Sequence, residues 1–210
     1  MLEITQEQYK LWRDAIMCAS VGNNYSLKKF KEAYPELYRH MTAMLNKRTK
    51  ISKTLQAYMS VSPFIYWGDL TFNDEEDKKD IKTKRKQVQR YLDKFFKLYL
   101  YVEELGEEGG RFHIHYLGIL RDYNIKFDDL YSAWHSYSSC ECLYKYYDVK
   151  KRIKYLTKYV VKQVPRIHMS SRSILLTKQY KRYKHLKNVG FPSLAIDYID
   201  QVRDLVDLPF

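Results

Sequence analysis

No stretch of this chain stays apolar for the roughly 18 residues that a bilayer crossing takes, so no segment is expected to span a membrane. Glycine is scarce, at seven in 210 residues, and none of the seven belongs to a Gly-x-x-x-x-Gly-Lys loop. That excludes a built-in nucleotide-driven motor of this kind. The three cysteines, Cys18, Cys140 and Cys142, cannot pair evenly, and no hydrophobic leader follows Met1. The chain therefore reads as a reduced, cytoplasmic protein.

Basic residues and aromatics are abundant. Lys and Arg outnumber Asp and Glu by 37 to 25, a net charge of +12, which favours a polyanionic partner such as nucleic acid. The 21 tyrosines, nine phenylalanines and three tryptophans offer stacking surfaces for unpaired bases, although most aromatics in any domain are core.

Helical apolar spacing runs from Gln6 to Ala19 and from Leu27 to Leu45, with Ser26 as N-cap and Pro35 as a kink or break. Phe64-Ile-Tyr-Trp-Gly-Asp-Leu-Thr-Phe72 predicts a buried strand. Asn73-Asp74 then opens a helix that is charged to Arg90 and apolar at Leu92, Phe95 and Phe96. Leu98 to Glu104 and Phe112 to Leu120 predict a hairpin around the Gly106 to Gly110 turn. Phe127 to Tyr137 has helical character, Cys140 to Tyr147 reads as a strand, and Asp148 caps a helix bounded by Pro165. A basic region from Arg166 to Lys187 precedes a short helix around Leu194 to Leu205. The order βαββαβα predicts an α+β fold of ferredoxin-like type, a mostly antiparallel four- to five-stranded sheet covered by helices. Residues 1–60 form a helical N-terminal extension, 61–190 the α+β domain and 191–210 a C-terminal helix in this reading.

Arg111-Phe-His113-Ile-His115-Tyr-Leu-Gly118 is the most informative segment. Strand side chains alternate, so His113 and His115 point to one face, and two adjacent imidazoles make half a metal site. Glu104, expected across the hairpin from His113, is the candidate third ligand, with Glu103 on the opposite face. A lone His-x-His is ordinary on a solvated sheet; the glutamate and a second motif make it a candidate site. That motif is Tyr155-Leu-Thr-Lys158-Tyr159-Val-Val-Lys162. On a helix it lines two phenols and two ammonium groups along one side, roughly 140° from apolar Val149, Ile153, Leu156 and Val160. A phenol has a pKa of about 10 and needs a cationic or metal environment to attack as phenolate. Lys158 and Lys162 supply cations and can stabilise charge on a phosphate. The two motifs together point to metal-assisted attack by tyrosine on a phosphodiester. Cys140 and Cys142 read as buried sheet cysteines, with a Cys-x-Cys and His-x-His zinc site as the rival.

These residues resemble the HUH rolling-circle replication initiators, the single-strand endonucleases of small single-stranded DNA phages, viruses and plasmids. Phe64 to Phe72 looks like their first motif, and Glu104 to His115, with its glycine turn, is similar to the second. Tyr155 to Lys162 matches the third in its two-tyrosine form, and Ser170-Ser171-Arg172 resembles a segment that often follows. The first 60 residues carry no such likeness, Phe112 stands where proline is frequent, and the fused helicase of many eukaryotic-virus relatives is absent.

The resemblance implies an HUH endonuclease domain that uses Mg²⁺ or Mn²⁺ at His113, His115 and Glu104. It further implies attack by Tyr159 to give a 5′-phosphotyrosyl link and a free 3′-OH, with Tyr155 cutting second. Implied partners are a single-stranded DNA origin and a host helicase and polymerase. Lys151, Arg152, Lys154 and Arg172 are the expected DNA contacts, with Lys82, Lys84, Arg85, Lys86 and Lys150 as further backbone-binding candidates. The alternatives are a transposase or relaxase with the same chemistry, and a noncatalytic nucleic-acid-binding protein on the same fold.

Overall fold

The computed structural model describes residues 5–20, 22, 24–105, 110–143 and 167–188. They fall into two compact units divided between Thr49 and Lys50. The first unit holds helices α1 (Gln6–Ser20) and α2 (Tyr25–Ala33) and the opening turns of α3 (Pro35–Met59). Pro35 is the first residue of α3 rather than a kink within a helix, since its missing N–H costs nothing there and its fixed φ suits the first turn. Asn24, not Ser26, occupies the N-cap of α2.

In the second unit, strands β1 (Ile65–Thr71), β2 (Phe96–Leu105), β3 (Phe112–Leu120), β4 (Ser138–Leu143) and β5 (Ile167–Met169) form one antiparallel sheet in the order β4-β1-β3-β2-β5. β3, the hairpin partner of β2, lies between β1 and β2, so β1 and β2 make a split βαβ unit. This is the ferredoxin-like α+β arrangement the sequence predicts.

Each sheet face buries its own apolar layer. Helices α4 (Asp74–Asp77) and α5 (Ile81–Phe95) follow β1, and α5 buries Val88, Tyr91, Leu92 and Phe95, spaced i, i+3, i+4, i+7, against Leu70, Tyr99, Ile114 and Tyr116. Leu130 of α6 (Phe127–Ser132) joins the same layer. On the other face Trp67, Leu100, Val102 and Leu117 pack with Ile51, Leu55 and Tyr58 from the end of α3 and Leu176 of α7 (Ser171–Asn188). Two glycines let aromatic rings cross the strands. A Cβ on Gly68 would sit 2.2 Å from both Ser139 O and Tyr116 Oη, and one on Gly118 would sit 2.6 Å from Phe96 Cδ1.

Several predicted boundaries shift for identifiable reasons. The charged helix divides in two, because Asn73 caps α4 through Glu76 N and Asp80 caps α5 through Lys82 N and Thr83 N. Phe96 opens β2 instead of ending a helix. The helix from Phe127 stops at Ser132, and the following residues bond to β1: Trp134 Nε1–H donates to Thr71 O at 2.6 Å, and Thr71 N–H donates to Tyr137 O at 3.0 Å. β4 accordingly starts at Ser138 rather than Cys140. The basic Arg166 to Lys187 region contains β5 and α7. In α7 the buried stripe begins Ser173, Leu176, Thr177, and its two hydroxyl residues conceal the helical pattern. Ser173 is satisfied by Tyr58 Oη at 2.6 Å, Ser170 Oγ at 2.8 Å and Tyr99 N–H at 3.0 Å. The predicted helix after Asp148, the end of the predicted strand at Tyr147 and the C-terminal helix at 191–210 lie outside the described residues.

Candidate active site

The pairing register decides which side chains meet. His115 lies opposite Asp69 on β1 and Val102 on β2, while His113 lies opposite Thr71 and Glu104. Residues directly across a ladder share a face, so His113, His115, Glu104 and Asp69 all project from one side of the sheet. His115 is almost fully buried, with Nε2 2.6 Å from Glu104 Oε2 and Nδ1 hydrogen-bonded to Asp69 Oδ1. Trp67 stacks on the His115 ring at 5.7 Å between centroids and 17° between planes, which assigns this tryptophan to the core. From β4, Ser139 Oγ donates to Asp69 Oδ2 at 3.1 Å and accepts from Asp69 N–H at 3.2 Å. Ser139, Asp69, His115 and Glu104 thus form one hydrogen-bonded row, one residue from each of β4, β1, β3 and β2.

The two imidazoles have opposite electrostatic settings. Burial works against the charged form of His115, yet the Asp69 and Glu104 carboxylates outweigh it and raise the pKa. Burial lowers the pKa of His113, with only partial compensation from Glu104. His113 is accordingly the more readily neutral ring and the better suited to donate a nitrogen lone pair.

Imidazole nitrogens with a carboxylate are a donor set for a divalent ion. Among the described residues no three His, Cys, Asp or Glu side chains stand gathered as a finished ion site. Two of the three candidate donors, His115 Nε2 and Glu104 Oε2, already converge, and His113 lies across from Glu104 on the same face. The residues fit such a group in type and face.

Asp69 escapes the sequence reading; the signal for it is an acidic residue inside the apolar run Ile65 to Thr71. A second cluster, on the opposite face, escapes it too. Arg85 binds Glu103 at 2.6 and 2.7 Å, His168 Nε2 lies 2.6 Å from Glu103 Oε1, and His168 stacks on Tyr101 at 4.5 Å and 6°. Arg85 is therefore engaged within the protein rather than held out for phosphate. So is Lys84, which is buried and 2.6 Å from Asp77 Oδ1. Lys82, Lys86 and Arg172 are exposed. The cysteines lie opposite Gly68 and Tyr66, on the face away from the histidines, so a shared zinc site is excluded. Burial pushes the Cys140 thiol up to about 12. Tyr155, Tyr159, Lys158, Lys162, Lys150, Lys151, Arg152 and Lys154 lie outside the described residues.

Residues 66–164 match the family of the replication-associated protein ORF2. The matched span is a little under half of the chain, and it runs from β1 across the His113-x-His115 strand to the end of the Tyr155 to Lys162 segment. It supports a likeness to replication initiators. No curated protein and no solved structure compared with the chain matches it. Among the described residues no helix is long and apolar enough to cross a membrane.

Proposed function

We propose that this chain is a metal-dependent single-stranded DNA endonuclease and strand transferase that starts rolling-circle replication by nicking an origin. The observation that carries the reading is the gathering of His113, His115 and Glu104 on one sheet face, within a span similar to replication-associated proteins. Mg²⁺ or Mn²⁺ held by those three residues would polarise the scissile phosphate. Tyr159 Oη then attacks phosphorus, the bond to the 3′ oxygen breaks and that oxygen takes up a proton. The products are a 5′-phosphotyrosyl link and a 3′-OH that primes synthesis. Lys158 and Lys162 favour the phenolate and the charge on phosphorus. Tyr155, one turn earlier, makes the second cut and releases a circle. A host helicase and polymerase supply the unwinding and extension.

Connectivity supports bringing the tyrosines to this face. Crossovers between parallel strands of one sheet are almost always right-handed. β1 and β2 are parallel and connect over the α5 face; β4 and β5 are parallel to each other but run opposite to β1 and β2. Both connections cross the sheet in the same direction. A link of the same hand from Leu143 to Ile167 would therefore pass over the other face, where the histidines project.

The test is to incubate the full chain with a labelled single-stranded DNA library and Mn²⁺. The expected result is nicking with a covalent protein–DNA adduct, abolished by EDTA and by Tyr159→Phe. DNA binding with no adduct would make the chain a binding module. Nicking that survives EDTA would remove the ion from the mechanism.

A further inference from the structure

We propose that Asp69, braced by Ser139, is a positioning residue that holds the His115 ring with Nε2 turned toward the bound ion. The inference rests on His115 being an ion donor and assigns how β1 and β4 prepare it. An ionised carboxylate only accepts hydrogen bonds, so the nitrogen facing Asp69 Oδ1 carries a proton. With Nδ1–H committed to Asp69, only Nε2 is left to donate to a metal, and it points at Glu104 Oε2.

Asp69 itself is not free to act as a ligand. Oδ1 is taken by His115 and Oδ2 by the Ser139 hydroxyl, which also receives the Asp69 backbone N–H. That pair of hydrogen bonds to one hydroxyl fixes the carboxylate on its strand. Stacking by Trp67 then limits the ring to rotation in its own plane, which the Asp69 bond stops. The position carries an acidic residue in an otherwise apolar strand, at a desolvation cost that the His115 contact offsets. Four strands thereby set one imidazole, a placement that strand pairing makes more rigid than a loop would.

The experiment uses full-length protein with ¹⁵N-labelled histidine, in the native form and as Asp69→Ala, Asp69→Asn and Ser139→Ala, with the His115 signals assigned through His115→Gln. Two readouts follow: the exchange-protected Nδ1 proton of His115 without metal, and the binding of Mn²⁺ alone by electron paramagnetic resonance. In Asp69→Ala the protected proton should vanish and Mn²⁺ affinity should fall by about ten- to hundredfold. Asp69→Asn, which keeps an acceptor oxygen, should recover part of both, and Ser139→Ala should weaken both by a smaller factor. A protected Nδ1 proton and unchanged Mn²⁺ affinity in a folded Asp69→Ala protein overturn the proposal. Should Asp69→Ala fail to fold, unchanged values in Asp69→Asn and Ser139→Ala overturn it equally. Failure of the native protein to bind Mn²⁺ would refute the ion-site reading instead, while the proton readout still decides whether Asp69 positions the ring.

Discussion

Glu103 and Glu104 are consecutive in β2 and serve opposite faces of the sheet. Glu104 meets His115 at 2.6 Å, whereas Glu103 is clasped by Arg85 of α5 and by His168 of β5. The back-to-back pair ties the candidate ion site to a helix and to the edge strand, so the register of β2 is held from both sides.

Glu103→Gln should lower stability at neutral pH by about 2 kcal/mol, between the values for surface and buried ion pairs. Burial alone would raise the Glu103 carboxyl, but Arg85 and His168 override it and bring it down to about 2. A depressed carboxylate stabilises the fold above its unfolded pKa and loses that contribution as pH falls toward the folded value. Urea unfolding should show the native protein losing stability below about pH 4.5, with a shallower decline in Glu103→Gln over the same range.

Gly68→Ala should cost roughly 3 kcal/mol, at the upper end for an overpacked core. The added methyl would meet Ser139 O and the Tyr116 ring, neither of which can retreat: Tyr116 is buried and its hydroxyl already donates to Ser139 O at 3.1 Å. Thermal unfolding is the check, and an unchanged midpoint would mean that the β1–β4 ladder has slack.

Among the basic residues, Lys84→Ala should reduce stability, because it strands Asp77 beside the Phe112 N–H that it accepts at 3.2 Å. Arg172→Ala should leave the unfolding midpoint in place. It should weaken single-stranded DNA binding and reduce the salt slope of log K by about 0.7. Fluorescence anisotropy at several salt concentrations separates the two classes.

The sheet is legible in the sequence because its strands carry long apolar runs: the predicted ends of β3, Phe112 and Leu120, are the observed ones, and those of β1 agree to within a residue. Cross-strand placement of Glu104 beside His113 follows from the hairpin, which a short turn sets locally. Asp69 does not follow, since its meeting with His115 depends on β3 inserting beside β1, a pairing of distant segments that no local pattern encodes. β5 and α7 are hidden for a different reason: a three-residue strand is too short for periodicity, and Ser173 and Thr177 fill buried helix positions through hydrogen bonds instead of apolar contact. Lys84 and Arg85 look like phosphate contacts because sequence shows charge and not the Asp77 and Glu103 partners that consume it.

The central claim is that a tyrosine of this chain takes the 5′ phosphate of a cut strand. It is tested most directly by digesting the adduct with trypsin and nuclease and locating the attached nucleotide by mass spectrometry. The account predicts a nucleotide joined through its 5′ phosphate to Tyr159, and to Tyr155 when Tyr159 has already reacted. Attachment through a 3′ phosphate, or to a residue outside this pair, would contradict it.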